Sequence, residues 1–256
     1  MKLFRVFLFF FLTSLTCIVF AQTQIANVNA NFIKLDPFGN IFAVKDAQLF
    51  KISSRGEILY TYSDQTLGVI SSIDVFNPMK IMLFYQTSGT LVFLNEQLTP
   101  IQAPIYLHDM NLFTISLASY SAANQIHLYD YTNQYLLTFD FFMREVSRTP
   151  LHFSSFNPSQ MIELEEKNLA FHNPQTGIYF FDTFGTFYKS IPIITPHAVE
   201  ITSELIYYTN HDEVVMYNYK SLNTEIQPLP TSPVVQTILY RNNRIVLLQN
   251  GTIWIF

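Results

Sequence analysis

Cysteine, glycine, tryptophan and charge are all scarce in this 256-residue chain, which has one Cys, seven Gly, one Trp and 13% charged positions. A lone cysteine excludes a disulfide framework and Cys-based zinc sites, and seven glycines exclude collagen-like repeats. Fourteen Lys and Arg are scattered among nineteen Asp and Glu, for a net charge of −5, so no basic cluster exists to neutralise nucleic-acid phosphates. Beyond the N-terminal region no apolar run is long enough to cross a bilayer as a helix, and no stretch of a dozen residues keeps a 3.6-residue period. Gly-x-Ser-x-Gly, a phosphate-cradling glycine loop and a dinucleotide fingerprint are all missing. What the chain does have is apolar bulk. With 25 Phe, 15 Tyr and 49% hydrophobic positions it can build a sizeable core, and wholesale disorder is excluded.

Residues 1–21 read as a secretory signal peptide. Lys2 and Arg5 precede an apolar run from Val6 to Leu12, and Val19 and Ala21 occupy the −3 and −1 positions before Gln22. Thr13, Ser14 and Thr16 interrupt the apolar stretch, which argues against an uncleaved anchor. Cys17 raises the question of lipidation, although Ser14-Leu15-Thr16 before it does not form a lipobox. Cleavage leaves a single domain, residues 22–256, and removes Lys2, Arg5 and the only cysteine. The product then carries 12 basic and 19 acidic residues, a net charge of −7, and is expected to be soluble or peripherally attached, with no membrane span.

After the signal, runs of 4 to 8 residues rich in Ile, Val, Phe, Tyr, Leu and Thr alternate with turn residues, the pattern of an all-β chain. One strand type recurs as Leu49–Ser53, Leu91–Asn95, Ile126–Asp130, Ile178–Asp182, Val214–Asn218 and Ile253–Phe256, with starts 42, 35, 52, 36 and 39 residues apart. That period fits four-stranded propeller blades of about 40 to 45 residues. Residues 141–150 read as the insertion that lengthens the third interval. Ser88-Gly89, Thr176-Gly177 and Asn250-Gly251 fall at hairpin turns, and Pro100 and Pro104 place the segment from Ile101 to Leu107 on an outer edge strand. The chain ends as its sixth unit completes a third strand, and Gln24–Val28 can supply the fourth. A six-bladed β-propeller closed by the N-terminal strand is therefore expected; five or seven blades fit the two irregular units, and a solenoid or β-sandwich is the rival architecture.

Candidate chemistry is sparse. Asp74, Asp130 and Asp182 could ring the axis and contact a ligand or partner, or Asp130 and Asp182 could cap the turns that follow their strands, as Asn95 and Asn218 would. Most aromatic rings are expected in the core. Tyr60, Tyr62, Tyr129, Tyr131 and Tyr135 are the better surface candidates, and Tyr131 and Tyr135 are the candidate contacts among them. Six histidines, His108, His127, His152, His172, His197 and His211, show no metal-ligand spacing, and His211-Asp212-Glu213 reads as a solvated loop. Glu163, Glu165 and Glu166 alternate around Leu164 and read most simply as an exposed face, with a general acid/base pair as the alternative. No cofactor, metal or catalytic residue is expected.

The segment Ser72-Ile73-Asp74-Val75-Phe76-Asn77-Pro78-Met79-Lys80-Ile81-Met82-Leu83-Phe84-Tyr85, followed by Leu91–Leu98, resembles a group of exported propeller-like proteins of Bacteroidota. They share an Asn-Pro-x-Lys-Ile-x-Leu-Phe-Tyr strand and an Asn/Asp-x-Gln-Leu turn. The resemblance covers about 30 residues and brings no functional residues with it. It implies the periplasm or the periplasmic face of the outer membrane, with secretion as an alternative, and an accessory or plugging role at an outer-membrane export complex such as the type 9 secretion translocon. The leading functional expectation is thus a non-enzymatic interaction module that binds an envelope protein. The alternative is a small-molecule or glycan-binding propeller, or an enzyme, with its site at the channel mouth.

Overall fold

Strands covered on both sides need apolar residues at every position, whereas strands covered on one side alternate. Both kinds occur here, the doubly covered strands in the middle of each sheet and the others at its inner and outer edges. The computed structural model describes residues 23–255 apart from positions 122, 152, 154–155, 165–167, 183, 211–212, 230–234 and 242–243, so the expected signal peptide lies outside the described residues. Strand β1 (Thr23–Asn27) comes first. Blade one then comprises β2 (Phe32–Leu35), β3 (Ile41–Lys45), β4 (Gln48–Ile52) and β5 (Ile58–Ser63). Blade two has β6 (Ser72–Asp74), β7 (Ile81–Tyr85), β8 (Thr90–Leu94) and β9 (Ile105–Tyr106); blade three has β10 (Ile115–Tyr120), β11 (Gln125–Asp130), β12 (Tyr135–Asp140) and β13 (Glu145–Pro150). Blade four has β14 (Gln160–Glu163), β15 (Leu169–Asn173), β16 (Gly177–Phe181) and β17 (Phe187–Ile191), and blade five β18 (Glu200–Ile201), β19 (Leu205–Asn210), β20 (Glu213–Asn218) and β21 (Thr224–Pro228). Blade six is β22 (Val235–Arg241), β23 (Arg244–Gln249), β24 (Thr252–Ile255) and, returning from the start of the chain, β1. All six sheets are antiparallel, four-stranded and connected in simple order, which makes the chain a six-bladed propeller.

The second and third strands of each blade carry the continuous apolar runs because a neighbouring blade covers each of their faces. In blade two every residue of β7 and β8 is buried. Ile81, Leu83 and Tyr85 of β7 pack with Phe42, Val44 and Leu49 of blade one, while Met82 and Phe84 pack with Ile115, Ile126 and Leu128 of blade three. The outer strands β5, β13 and β21 are largely exposed. Aromatic rings fill the wedges. Between blades three and four, Tyr129, Phe153, Phe156, Phe171 and Phe181 meet edge to face at 5.3 to 5.8 Å, a geometry that adds about 0.5–1.5 kcal/mol per pair beyond area burial. Tyr129, expected near the surface, is wholly buried there.

Two sequence expectations need correction. Ile126–Asp130 lies in β11, the second strand of its blade, and the third strand is β12. The third strands start at 48, 90, 135, 177, 213 and 252, so the intervals are 42, 45, 42, 36 and 39 and no insertion is present. Residues 141–150 form the turn after β12 and the outer strand β13. Both β11 and β12 are apolar and buried, which left the choice between them open in the sequence. The outer strand of blade two is also shorter than expected. Pro100 and Pro104 lack N–H donors, and the segment is reduced to a bridge at Pro100, the two-residue β9 and a 3-10 turn over Leu107–Met110.

Closure follows the expected route. Thr23, Gln24, Ala26 and Asn27 of β1 pair with Ile255, Trp254, Ile253 and Thr252 of β24, with a bulge between Gln24 and Ala26. The β23–β24 hairpin turns on Asn250 (φ 48°) and Gly251 (φ 74°), the two positive values that a two-residue hairpin turn requires. Gly251 also lies under the returning chain, since its carbonyl accepts from Ala30 N at 3.1 Å and a Cβ there would stand 2.6 Å from Asn29 Cα. Gly68, at φ 89°, has nothing within 4 Å of such a Cβ.

Removing residues 22–30 should therefore lower the thermal midpoint by about 10 °C, roughly 4 kcal/mol for the ladder and its flanking contacts. An unchanged, equally cooperative transition would show that closure does not depend on β1. Gly251→Ala should destabilise more than Gly68→Ala by about 1 kcal/mol or more in urea unfolding, because both substitutions meet the positive φ but only the first also meets the Asn29 backbone.

Candidate functional site

The innermost strand of every blade runs along the axis, so whatever polar residues those strands carry converge. Around the axis lies a cavity of about 300 Å³ whose wall includes Lys34 from β2, Asp74 from β6, Ser119 from β10, Glu163 from β14, Val199 beside β18 and Leu239 from β22. The Glu163 side chain is 5% exposed, and neither carboxylate oxygen has a hydrogen-bond partner among the described residues. Its nearest polar neighbour is His127 of β11, with Nε2 3.9 Å from Oε2. Burial, reinforced by the Asp74 carboxyl, pushes Glu163 up to about 8. Asp74 accepts from Phe76 N at 3.0 Å and from Tyr120 N at 3.3 Å; burial raises it, and those two bonds and Lys34 oppose the rise. Glu200 of β18 is raised by burial too, against Lys34 and Arg241. The hydroxyls of Ser72 and Ser119 are buried without partners.

The five residues expected to make contacts fall at three separate places, with Asp130, Tyr131 and Tyr135 in one hairpin. Only Asp74 reaches the channel. Asp130 closes the β11–β12 hairpin on the other side of the disc, where it accepts from Thr114 Oγ1 at 2.7 Å, Asn133 Nδ2 at 2.8 Å and Asn133 N at 3.1 Å. Burial works to raise Asp130, and the bonds from Asn133 and Thr114 hold it below the usual carboxylate range. Tyr131 is exposed in the same hairpin, and Tyr135, paired across from Asp130, lies half-buried with the Arg148 guanidinium 5.8 Å from its ring centre. Asp182 caps the β16–β17 turn by accepting from Phe184 N at 2.9 Å and Thr186 N at 2.8 Å.

Glu163, like Tyr129, was placed wrongly by sequence reasoning. It was expected on an exposed face with Glu165 and Glu166, which lie outside the described residues. Its burial comes from the axis, not from its own strand, and the signal was its position one hairpin before the apolar run of β15. His127 is held neutral by burial, at about 4, with Nδ1 3.1 Å from Thr138 Oγ1. Burial lowers His172 to about 4 as well, and its ring nitrogens have no partner. His108 stands 3.2 Å from Asp109 on the surface, and His152 and His211 are outside the described residues. Among the described residues no three His, Cys, Asp or Glu side chains gather as a metal site. No helix among them is long and apolar enough to cross a membrane.

A second feature occupies the side of the disc from which the first-to-second and third-to-fourth turns emerge. Asp36, Asp140 and Asp182 each use Oδ1 to accept from the N–H groups two and four residues on, at 2.8 to 2.9 Å. The fourth residue of each turn has positive φ: Gly39 (83°), Met143 (59°) and Gly185 (79°). The third is a phenylalanine at the tip. Phe38, Phe142 and Phe184 are 75%, 77% and 79% exposed. Asn95 and Ser53 build the same turn with Gln97 and Arg55 at the tip. The structural counterpart of Asp182 in blade three is thus Asp140, not Asp130.

Neither a family model nor a curated protein sequence matches the chain. Solved structures do. The Pan2 WD40 domain of Neurospora crassa is 11% identical, with a TM-score of 0.66 over 91% of this chain and 94% of that one. Virginiamycin B lyase from Staphylococcus aureus is 10% identical, with a TM-score of 0.62 over 92% and 97%. The Cps50 (Swd1) propeller domain of Myceliophteria thermophila is 9% identical, with a TM-score of 0.63 over 91% and 97%. At these identities the likeness establishes the propeller fold.

The axial charges make a signed prediction. Glu163 is protonated in the fold, so the stability it contributes is complete below its ordinary 4.5 and is lost as pH rises to about 8. His127 and His172 act oppositely, contributing above 6.5 and losing that contribution as pH falls toward 4. Glu163→Gln should gain stability over the parent progressively between pH 5 and 8, by urea unfolding, and the gain should then level off. A difference constant across that interval would contradict a buried neutral Glu163.

Proposed function

We propose that this chain is an exported, non-enzymatic propeller that acts as a protein-interaction module in the bacterial envelope, docking through the face that carries Phe38, Phe142 and Phe184. The observation behind this reading is that three large apolar side chains stand in water on turns built to hold them there. The rings stand on blades one, three and four but share one face of the disc, so a partner that covers that face buries all three, and a ring buries roughly 150–250 Å² when covered. Because each turn is already locked by its aspartate, little conformational freedom remains to be lost on binding. The docking partner is a periplasmic or outer-membrane protein. The expected signal peptide and the resemblance to exported Bacteroidota propellers support that location, and with it an accessory or plugging role at an export complex such as the type 9 translocon.

Fold alone does not choose between binding and catalysis, since the similar structures include both WD40 domains and a lyase. The second reading, a small-molecule site on the axis, is favoured by one observation, the unpartnered Glu163 carboxyl in the cavity wall.

Affinity purification of the tagged protein from native envelopes under mild solubilisation should recover a stoichiometric envelope protein. The triple variant Phe38→Ser, Phe142→Ser, Phe184→Ser should lose that protein while unfolding within a few degrees of the parent, since these rings make little of the core. Recovery of no stoichiometric partner, or full retention of it by the triple variant, would overturn the docking reading.

A further inference from the structure

The cavity wall combines features that water-filled channels do not need. A carboxyl that is 5% exposed has no hydrogen-bond partner for either oxygen. A second carboxyl, Asp74, acts on it electrostatically, and two buried serine hydroxyls, Ser72 and Ser119, are also unpartnered. Native structures pair their buried polar atoms, and several without a protein partner on one cavity wall form a lining suited to a polar ligand. We infer that the axial cavity binds a small organic ammonium ion, held by the Glu163 and Asp74 carboxylates, with the Ser72 and Ser119 hydroxyls sharing its third N–H. This deepens the small-molecule reading of the channel and rests on it.

The ligand class follows from charge and shape. The Asp74 carboxyl opposes ionisation of Glu163, and a cation bound beside both offsets that opposition and favours the carboxylate, which a neutral sugar or polyol does not do. A bare metal ion is a poor fit, because among the described residues no three ligating side chains gather, and a hard divalent cation takes six or more oxygens. Apolar wall residues, among them Phe32, Met161 and Leu239, suit the hydrocarbon part of an amine. The groups facing Glu163 from the other blades are accounted for. His127 stays neutral above about 4, Lys34 interacts with Asp74 and Glu200, and Arg241 with Glu200. None of them supplies Glu163 with an ion pair, because the nearest, His127, is uncharged at neutral pH.

Binding must therefore release a proton at neutral pH, when Glu163 passes from acid to carboxylate. With Glu163 near 8, affinity should rise about tenfold from pH 7 to pH 9, as the ionised fraction rises from about one-tenth to nine-tenths. The probe is n-butylammonium chloride titrated calorimetrically into the purified protein, with n-butanol and calcium chloride as parallel arms. Heats at pH 7 in two buffers of different ionisation enthalpy should report close to one proton released per amine bound. Glu163→Gln should weaken butylammonium at least tenfold at pH 9 and remove the proton release, and its thermal midpoint at pH 5, where both side chains are neutral, should match the parent and show that the fold is kept. No binding of butylammonium at either pH, equal binding by Glu163→Gln, equal binding of butanol, or tighter binding of calcium would each overturn the assignment. Because Glu163→Gln leaves the phenylalanine tips untouched, envelope pull-down with that variant should be unaffected, which keeps this test separate from the docking one.

Discussion

Antiparallel pairing of Thr23–Asn27 with Thr252–Ile255 joins the two ends of the chain, and every other feature needs the ring that this pairing closes. Without β1, the last blade has three strands and an open edge at Ile253 and Ile255. The wedge between blades six and one would also lose Ile25, Ala26 and Val28, which pack against Ile33, Ile41 and Leu248. Each of the six wedges has its own apolar cluster. Such a ring is stabilised largely by neighbour-to-neighbour packing, so one open wedge weakens both blades that border it. Gly251 is where the constraint is tightest, since a hairpin turn and the backbone of the returning chain occupy the same space.

Closure also explains why charge is buried in a chain with so little of it. A ring of blades brings six inner strands to one axis, and residues far apart in sequence, Lys34, Asp74, Glu163 and Glu200, come to act on one another there. In an open sheet the same side chains would be hydrated and unremarkable. Here they share a space with few water partners, so a group without a matched neighbour changes protonation state instead of remaining charged. Lys34 opposes the rise of Asp74 and Glu200 but not that of Glu163, and this asymmetry is what makes Glu163 the neutral acid of the set.

The degree to which these features could be read from sequence follows from how local their causes are. The blade rhythm was legible because doubly covered strands such as Ile81–Tyr85 are apolar at every position, and the Asn250-Gly251 turn announces its own geometry. Strand order within blade three was not, because Gln125–Asp130 and Tyr135–Asp140 are equally apolar and only pairing distinguishes them. Glu163 was misread for a deeper reason. Alternation with Leu164 is a local pattern, whereas burial at the axis depends on five other blades. The tip phenylalanines fall between these cases: Asp36-Pro37-Phe38-Gly39 and Asp182-Thr183-Phe184-Gly185 are turn sequences on sight, yet a phenylalanine in so aromatic a chain reads as core until the turn shows which way it points.

The phenylalanine tips and the axial carboxyls share one side of the disc. Asp74 ends β6 and Glu163 ends β14, each at the strand end from which a first-to-second turn leaves. The turns that display Phe38, Phe142 and Phe184 leave from that same side, because alternate connections in an antiparallel blade emerge together. A partner seated on the phenylalanine tips would therefore stand over the end of the channel where the carboxyls lie. Any effect of an axial cation on docking would then be matched by an equal effect of docking on the cation, while pull-down without added amine reads docking alone. The rigidity of the blades sets how such coupling would travel. With close-packed wedges on both sides of each sheet, a charge change at Glu163 has few soft modes to excite, so the route runs through direct coverage of the mouth and its electrostatics, not through a change in blade arrangement.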